Sequence, residues 1–351
     1  MPVRIPALLL WLFYNIKPII PRFVQISMRR SIAKHIRKKD CHLWPIDPNS
    51  ARPPAGWKGW PDAKKFALVL SHDVDTEEGY NKILKLAELE EKMGFRSCFN
   101  FVPERYGKVS LELLDELRSR GFSVGVHGLK HDGKLFRSER IFDGQAQRIN
   151  VYLMDWKAGG FSSPSMHRNL AWMTALNIKY SISTFDTDPF EPQPDGVGTI
   201  FPFIVYRNKD QHSKRAKQAN VCPQNSSSQS GSSPPGALTS EPPPFFVELP
   251  YTLPQDFTLF IILEEKTIDI WKRKLDWIAD KGGMALLNTH PDYMDLNGDG
   301  RERWTYPVQY YLDFLEYLQR RYDGQYFHAL PSTLAKVLNS WCLDDISNSG
   351  L

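Results

Sequence analysis

Cysteine is scarce and scattered in this chain of 351 residues: Cys41, Cys98, Cys222 and Cys342 stand far apart, with no Cys-x-x-Cys pair among them. That spacing argues against a disulfide framework and against a thiolate zinc site, and it reads as reduced thiols in a cytoplasmic protein. A long hydrophobic run is also missing. The longest strongly apolar stretch, Ile5 to Tyr14, is soon followed by Lys17, Pro18 and Pro21, and it falls short of the roughly twenty residues a spanning helix needs. No Ala-x-Ala-like cleavage site follows it, so a secretory signal fits poorly. Acidic residues are absent from positions 1–39, where Arg4, Lys17, Arg22, Arg29, Arg30, Lys34, Arg37, Lys38 and Lys39 stand. Taking those nine cations from the net charge of +4 leaves the other 312 residues near −5. A global basic surface for nucleic acid is thereby excluded.

What is present is enough apolar material, 42% hydrophobic and 13% aromatic, to bury a large α/β core. Residues 1–39 read as a basic, apolar arm. Its wedge Leu8 to Phe13 precedes a segment where Ile26, Ile32, Ala33 and Ile36 alternate with cations. Such an arm can attach to an anionic membrane surface with its apolar side down, or pack on the globular domain. Residues 40–65 connect it to a main domain, 66–341, and 342–351 form a tail. Within the domain, residues 207–244 hold a serine- and proline-rich stretch too polar to offset its ordering entropy, and read as a flexible surface insertion.

From Phe66 onward, short apolar runs alternate with helical periodicity. Strands are predicted at Phe66 to Ser71, Ser97 to Val102, Phe122 to His127, Ala158 to Ser162, Lys179 to Thr184 and Met284 to Thr289. Helices are predicted at Tyr80 to Met93, from an N-cap at Ser110 to Gly121, at Ile141 to Asp155, Thr267 to Lys281, Val308 to Arg321 and Ser332 to Ser340. Strand and helix in alternation imply right-handed crossovers and a parallel sheet, and about seven strands favour a closed one.

Ionisable residues gather where those strands end. His72-Asp73-Val74-Asp75 follows the first strand, His127 closes a later one with His131 four residues on, and Asp186, Asp188 and His290 follow others. Carboxyl ends of parallel strands line the sites of such folds. Two imidazoles and two carboxylates suffice to hold one divalent metal and leave a carboxylate free to take a proton from water. Asp295 to Gly300 opens like a calcium loop, but its twelfth position is Tyr306, so a turn is expected. Trp304, Tyr306, Tyr310 and Tyr311 could stack on sugar rings or belong to the core. Glu248 to Gln255 is a candidate cleft loop, and His72, His167 and His328 are expected to be structural.

These motifs, in this order from about Phe66 to about Pro331, resemble the polysaccharide deacetylases of carbohydrate esterase family 4, the NodB-homology proteins. The resemblance implies a distorted (β/α) barrel with about seven parallel strands and a divalent metal, usually Zn2+. It implies Asp73 as general base, Asp75, His127 and His131 as metal ligands, His290 as general acid, and Asp186 or Asp188 as the carboxylate orienting it. Gly160 to Ser165 resembles the third motif of the family, with Ser163, Pro164 and Ser165 at the substrate. There Ser162 stands where an arginine usually pairs with the base, and Arg168 is the nearest candidate substitute. Losing that arginine would leave Asp73 with a less fixed rotamer. The expected activity is removal of N-acetyl groups from an amino sugar of a surface glycan or lipid-linked precursor. A weakened, glycan-binding protein and a hydrolase of small amides or ureides remain the alternatives.

Overall fold

The structure is a computed structural model that describes residues 20–39, 44–207, 244–298, 300 and 303–349. The apolar run Ile5 to Tyr14, Cys41, Cys222, Asp299, most of the 207–244 insertion and the end of the tail lie outside the described residues.

The first apolar run forms β1 (Phe66–Val74), buried along its whole length. It extends three residues beyond the sequence expectation because β2 (Cys98–Phe101) pairs with Ser71 to Val74. Asp73 therefore belongs to the strand itself. β3 (Ser123–His127), β4 (Gly160–Ser162), β5 (Tyr180–Ile182) and β7 (Phe245–Glu248) continue the sheet in parallel. β8 (Met284–Thr289) returns to the other edge of β1. Closure between β7 and β8 is thin: one parallel bridge joins Leu253, just past β7, to Leu287 of β8, while a second, Phe185 to Tyr251, extends the β5–β7 pairing. The result is the distorted barrel of seven parallel strands expected from the sequence. β9 (Tyr326–His328) adds beside the start of β1.

β6 (Phe203–Tyr206) was not foreseen. It pairs antiparallel with β7, and Arg207 N donates to Pro244 O at 2.8 Å, so the ends of the 207–244 insertion meet as a hairpin on the sheet edge.

The crossover helices start where capping side chains accept backbone N–H groups. Thr76 caps α2 (Glu77–Lys92), Ser110 caps α3 (Leu111–Ser119) and Ser138 caps α4 (Glu139–Asp155). After the single turn α5 (Leu170–Met173) come α6 (Asp269–Lys281), α7 (Gln309–Tyr322) and α8 (Pro331–Ser349).

Alternation along the strands splits the core in two. Leu68 and Leu70 of β1, Phe99 and Phe101 of β2, and Val124 and Val126 of β3 point outward to the helices. Ala67 and Val69, Tyr180 and Ile182, and Met284 and Leu286 point inward, where Leu334, Ala335 and Leu338 of α8 join them.

The basic segment forms α1 (Arg22–Lys39), which follows the packing alternative: Ile26 and Ala33 are buried in the domain core. The helix lies against Phe257–Ile262, tied by Arg30 to Glu264 at 2.8 Å and Arg37 to Glu265 at 2.6 Å. Among the described residues no helix is long and apolar enough to cross a membrane.

Candidate active site

The strand alternation that splits the core also builds the site. Asp73 of β1, Asn100 of β2, His127 of β3, Ser162 of β4 and Asn288 of β8 all fall on the inward parity, at or near the carboxyl ends of their strands. The register sets Asp73 against Asn100, His127 against Ser162, and Ser71 against Asn288.

Asp73 is buried and held by three neutral donors. Asn100 Nδ2 donates to Oδ1 at 2.9 Å, Asn288 Nδ2 to Oδ2 at 2.8 Å and Ser162 Oγ to Oδ2 at 3.1 Å. Gly125 makes room for this: a Cβ there would sit 2.1 Å from Asn100 Oδ1. Arg168 is not the substitute the sequence suggested. Its guanidinium donates to the carbonyls of Met166 and Asp195 and lies 4.8 Å from the Phe185 ring centre.

Asp75 Oδ1 faces two imidazoles, His127 Nε2 at 3.3 Å and His131 Nε2 at 3.1 Å, and it has no hydrogen-bond partner although it is buried. His127 Nδ1 lies 3.2 Å from Ser162 O, a contact that places the proton on Nδ1 and leaves the Nε2 lone pair toward Asp75. His131 sits at φ 52°, a left-handed conformation uncommon for a side-chain-bearing residue, with its carbonyl held by Arg105 at 2.9 Å. An orphaned carboxylate oxygen and two imidazole nitrogens at about 3.1–3.3 Å match the ligand-to-ligand spacing around a small divalent ion, whose own bonds are roughly 2.0–2.2 Å. The donor set, one carboxylate and two histidines, fits zinc. Burial opposes the charge of Asp75, yet the His131 and His127 rings, when they carry a proton toward it, outweigh burial and hold the carboxyl well below its usual range.

The Asp75 backbone is fixed from the far side. Asp292 accepts from Asp75 N at 3.0 Å and from Thr76 Oγ1 at 2.5 Å. Gly79 permits that approach, since a Cβ there would lie 2.4 Å from Asp292 Oδ2. Burial, with the nearby Asp75 charge, raises the Asp292 carboxyl to about 6.

His290 stands beside this cluster, and its orienting carboxylate is Asp256. Asp256 Oδ1 lies 2.7 Å from His290 Nδ1, while Oδ2 accepts from His290 N at 2.8 Å and from Tyr306 OH at 3.0 Å. Burial disfavours the charged ring, but Asp256 outweighs it, with Asp75 and Asp73 adding to the effect, and raises the imidazole to about 10.

Asp186 and Asp188 do not orient His290. Asp186 pairs with the buried Lys274 at 2.5 Å. Asp188 takes a hydrogen bond from Tyr251 OH at 3.0 Å and is raised by burial and by Glu191 to about 8.

Other expectations resolve structurally. His72 lies in a buried network with Glu90 at 2.8 Å and Thr289 at 2.7 Å, and His328 meets the Arg96 carbonyl at 2.8 Å. Tyr306 and Tyr311 are core residues, with Tyr311 OH donating to Glu90. Asp295 caps a turn, accepting from the backbone of Asn297, Gly298 and Gly300. In the third-motif loop Pro164 is buried and Ser165 has φ 54°.

Sequence reasoning missed Asn100, Asn288, Asp256 and Asp292. Asp256 follows directly on the Glu248 to Gln255 loop, and Asp292 stands two residues after His290, so position alone singled out their surroundings.

No family model and no curated protein matches the chain by sequence. Solved structures of similar fold include two that align over most of this chain. A protein from Mycobacterium smegmatis assigned as a polysaccharide deacetylase aligns over 82% of this chain and 95% of its own, with 15% identity and a TM-score of 0.54. One from Pseudomonas aeruginosa PAO1, assigned likewise, aligns over 81% and 94%, with 13% identity and a TM-score of 0.52. The barrel and both likenesses agree: this chain has the NodB-like fold of the polysaccharide deacetylases.

Proposed function

We propose that this protein is a metal-dependent hydrolase that removes N-acetyl groups from an amino sugar of a surface glycan or a lipid-linked precursor. One observation carries the reading: the orphaned Asp75 Oδ1, with His127 and His131, shares one cluster with an Asp73 carboxylate that accepts three hydrogen bonds and with the His290–Asp256 pair.

Asp75, His127 and His131 would hold the metal, Zn2+ by donor chemistry. When bound, it supplies a Lewis acid that acidifies water and polarises an acyl oxygen. Asp73 takes the proton of the attacking water; Asn100, Asn288 and Ser162 keep its carboxylate aimed without neutralising it. His290, charged at neutral pH, delivers a proton to the leaving amine, which departs poorly without one. Asp256 holds that ring through Nδ1, so the proton to be given up is on Nε2. At the bend of Ser163, Pro164 and Ser165, where Pro164 has no N–H, the backbone N–H of Ser165 is the donor proposed for the acyl oxygen. The products are acetate and a free amino sugar.

A second reading is a weakened protein that binds glycan without turning it over, favoured by Ser162 in the arginine position. Acetate release from N-acetylhexosamine oligomers, measured beside metal content, separates the two. Stoichiometric metal with no acetate from any such oligomer would leave only the binding reading. A cytoplasmic setting with peripheral contact at an anionic leaflet accompanies the proposal, since Phe23, Met28 and Ile32 remain exposed on α1. Anionic-vesicle binding that persists when Phe23 and Ile32 are both changed to Ser removes that part.

A further inference from the structure

The arginines of α1 fall into two sets. Arg30 and Arg37 are committed to the fold: beyond their glutamate partners, Arg30 Nε donates to Ile261 O at 2.9 Å. Arg22 and Arg29 form no ion pair with a carboxylate among the described residues. Each lies instead on an aromatic ring, Arg22 at 5.8 Å from the centre of Tyr293 and Arg29 at 4.8 Å from that of Phe257.

Those rings are not remote from the chemistry. Phe257 and Tyr293 pack at 4.7 Å, and Tyr293 lies 5.3 Å from the His290 ring. Phe257 immediately follows Asp256, and Tyr293 follows Asp292, so the strip is anchored at both ends to carboxylates that shape the site. Two guanidinium groups are thus laid along a platform that runs to the candidate acid. The nearest acidic influence on Arg29 is Glu191, a buried carboxyl that burial keeps above its usual range and that Tyr251 already engages at 3.1 Å.

A guanidinium stacked on a ring keeps its N–H edge free for a planar or tetrahedral oxyanion. A neutral sugar has nothing to place there.

We propose that Arg22 and Arg29 form an anion subsite beside His290, and that the amino sugar acted on carries a phosphate adjacent to the acetylated residue. The inference rests on the deacetylase reading above and narrows its substrate class. A soluble sugar phosphate and a phosphate-linked glycolipid share the recognised group, and the lipid would present it from a surface near the exposed face of α1.

The test compares N-acetylglucosamine with N-acetylglucosamine 1-phosphate on the full chain carrying its metal, by calorimetric binding and by acetate release. Wild type should favour the phosphate roughly tenfold or more, less at high salt. In Arg22→Gln/Arg29→Gln that ratio should collapse toward one, while Arg37→Gln, on the same helix, should keep it. Vesicles bearing an N-acetylglucosaminyl phospholipid tell the sources apart: a further gain over the soluble phosphate assigns the lipid, and equal use assigns the free sugar phosphate. Equal binding of neutral and phosphorylated sugar by wild type, or a preference that survives the double variant, overturns the subsite. Selective phosphate binding without acetate release from either compound supports the subsite and overturns the deacetylase reading instead.

Discussion

Ser162 Oγ lies 3.1 Å from Asp73 Oδ2, donating from the strand position where the family resembled by the sequence carries an arginine. A neutral hydroxyl thereby occupies the place of a cation. With Asn100 and Asn288 it gives Asp73 three directional bonds, while the His127 imidazole stays farther off, Nδ1 at 3.6 Å from Oδ1, so hydrogen bonding sets the carboxylate's aim.

Removing one of these donors should therefore slow the chemistry without emptying the metal site. Asn288→Ala is expected to lower kcat by about ten- to a hundredfold, the cost of one lost bond to a buried charge, with KM and metal content little changed. Ser162→Ala should be milder. Steady-state kinetics with metal analysis checks both; loss of metal in either variant would contradict the division between base and ligands.

Gly125→Ala tests the same geometry from a residue that touches no reacting group. Its Cβ would meet Asn100 Oδ1 at 2.1 Å and push the amide off Asp73. A kcat loss resembling that of Asn100→Ala is expected, and a double variant no worse than either single change would show that the two act through one contact.

Asp75→Ala, His127→Ala and His131→Ala should each remove metal and turnover together, and chelation should do the same reversibly in the native protein. Metal determination by mass spectrometry beside acetate release decides it; a variant that keeps turnover without metal refutes the assignment.

Asp256→Asn should move the alkaline limb of the activity profile. The native His290 imidazole is raised to about 10, so the acid form persists through neutral pH and activity should fall only as pH approaches that value. Without the Asp256 charge the limb shifts toward the ordinary imidazole range, so activity falls at lower pH. The stabilising share of the pair follows the same sign: it is fully present below about 6.5, the unfolded value, and is lost as pH rises to about 10. Urea unfolding of both proteins across that range reads it.

Asp186→Ala is a stability change rather than a catalytic one. It would strand the fully buried Lys274 ammonium, left with the Pro45 carbonyl at 2.5 Å. A loss of about 3–5 kcal/mol is expected from breaking such a pair, seen as a lower urea midpoint.

Much of this was readable along the chain, and the reason is local. Strands and crossover helices announce themselves through two periodicities that need no tertiary knowledge, and Thr76, Ser110 and Ser138 mark helix starts because a cap bonds within its own first turn. The cluster of Asp75, His127 and His131 was legible because its acid and imidazoles stand at strand ends. The partners of those residues were not. Asn100 and Asn288 look like ordinary polar residues in sequence, and only the register of β1, β2 and β8 puts them on one inward face with Asp73.

The acid-orienting carboxylate shows the same division most clearly. Asp186, Asp188 and Asp256 all lie upstream of His290, and nothing in their spacing ranks them. The thin closure between β7 and β8 brings the turn at Asp256 against His290, while Asp186 is drawn to the buried ammonium of Lys274, where an unpaired charge would be costly. The basic arm was equally undecided by its composition. Its amphipathic pattern suits a membrane or a protein core alike, and it was the apolar surface of Phe257–Ile262, assembled from the other end of the chain, that took up Ile26 and Ala33 and set Arg22 and Arg29 beside the site. Sequence by itself determined most of the barrel's elements and the acids and imidazoles gathered at its strand ends; tertiary closure decided which charges meet, because that depends on contacts hundreds of residues apart.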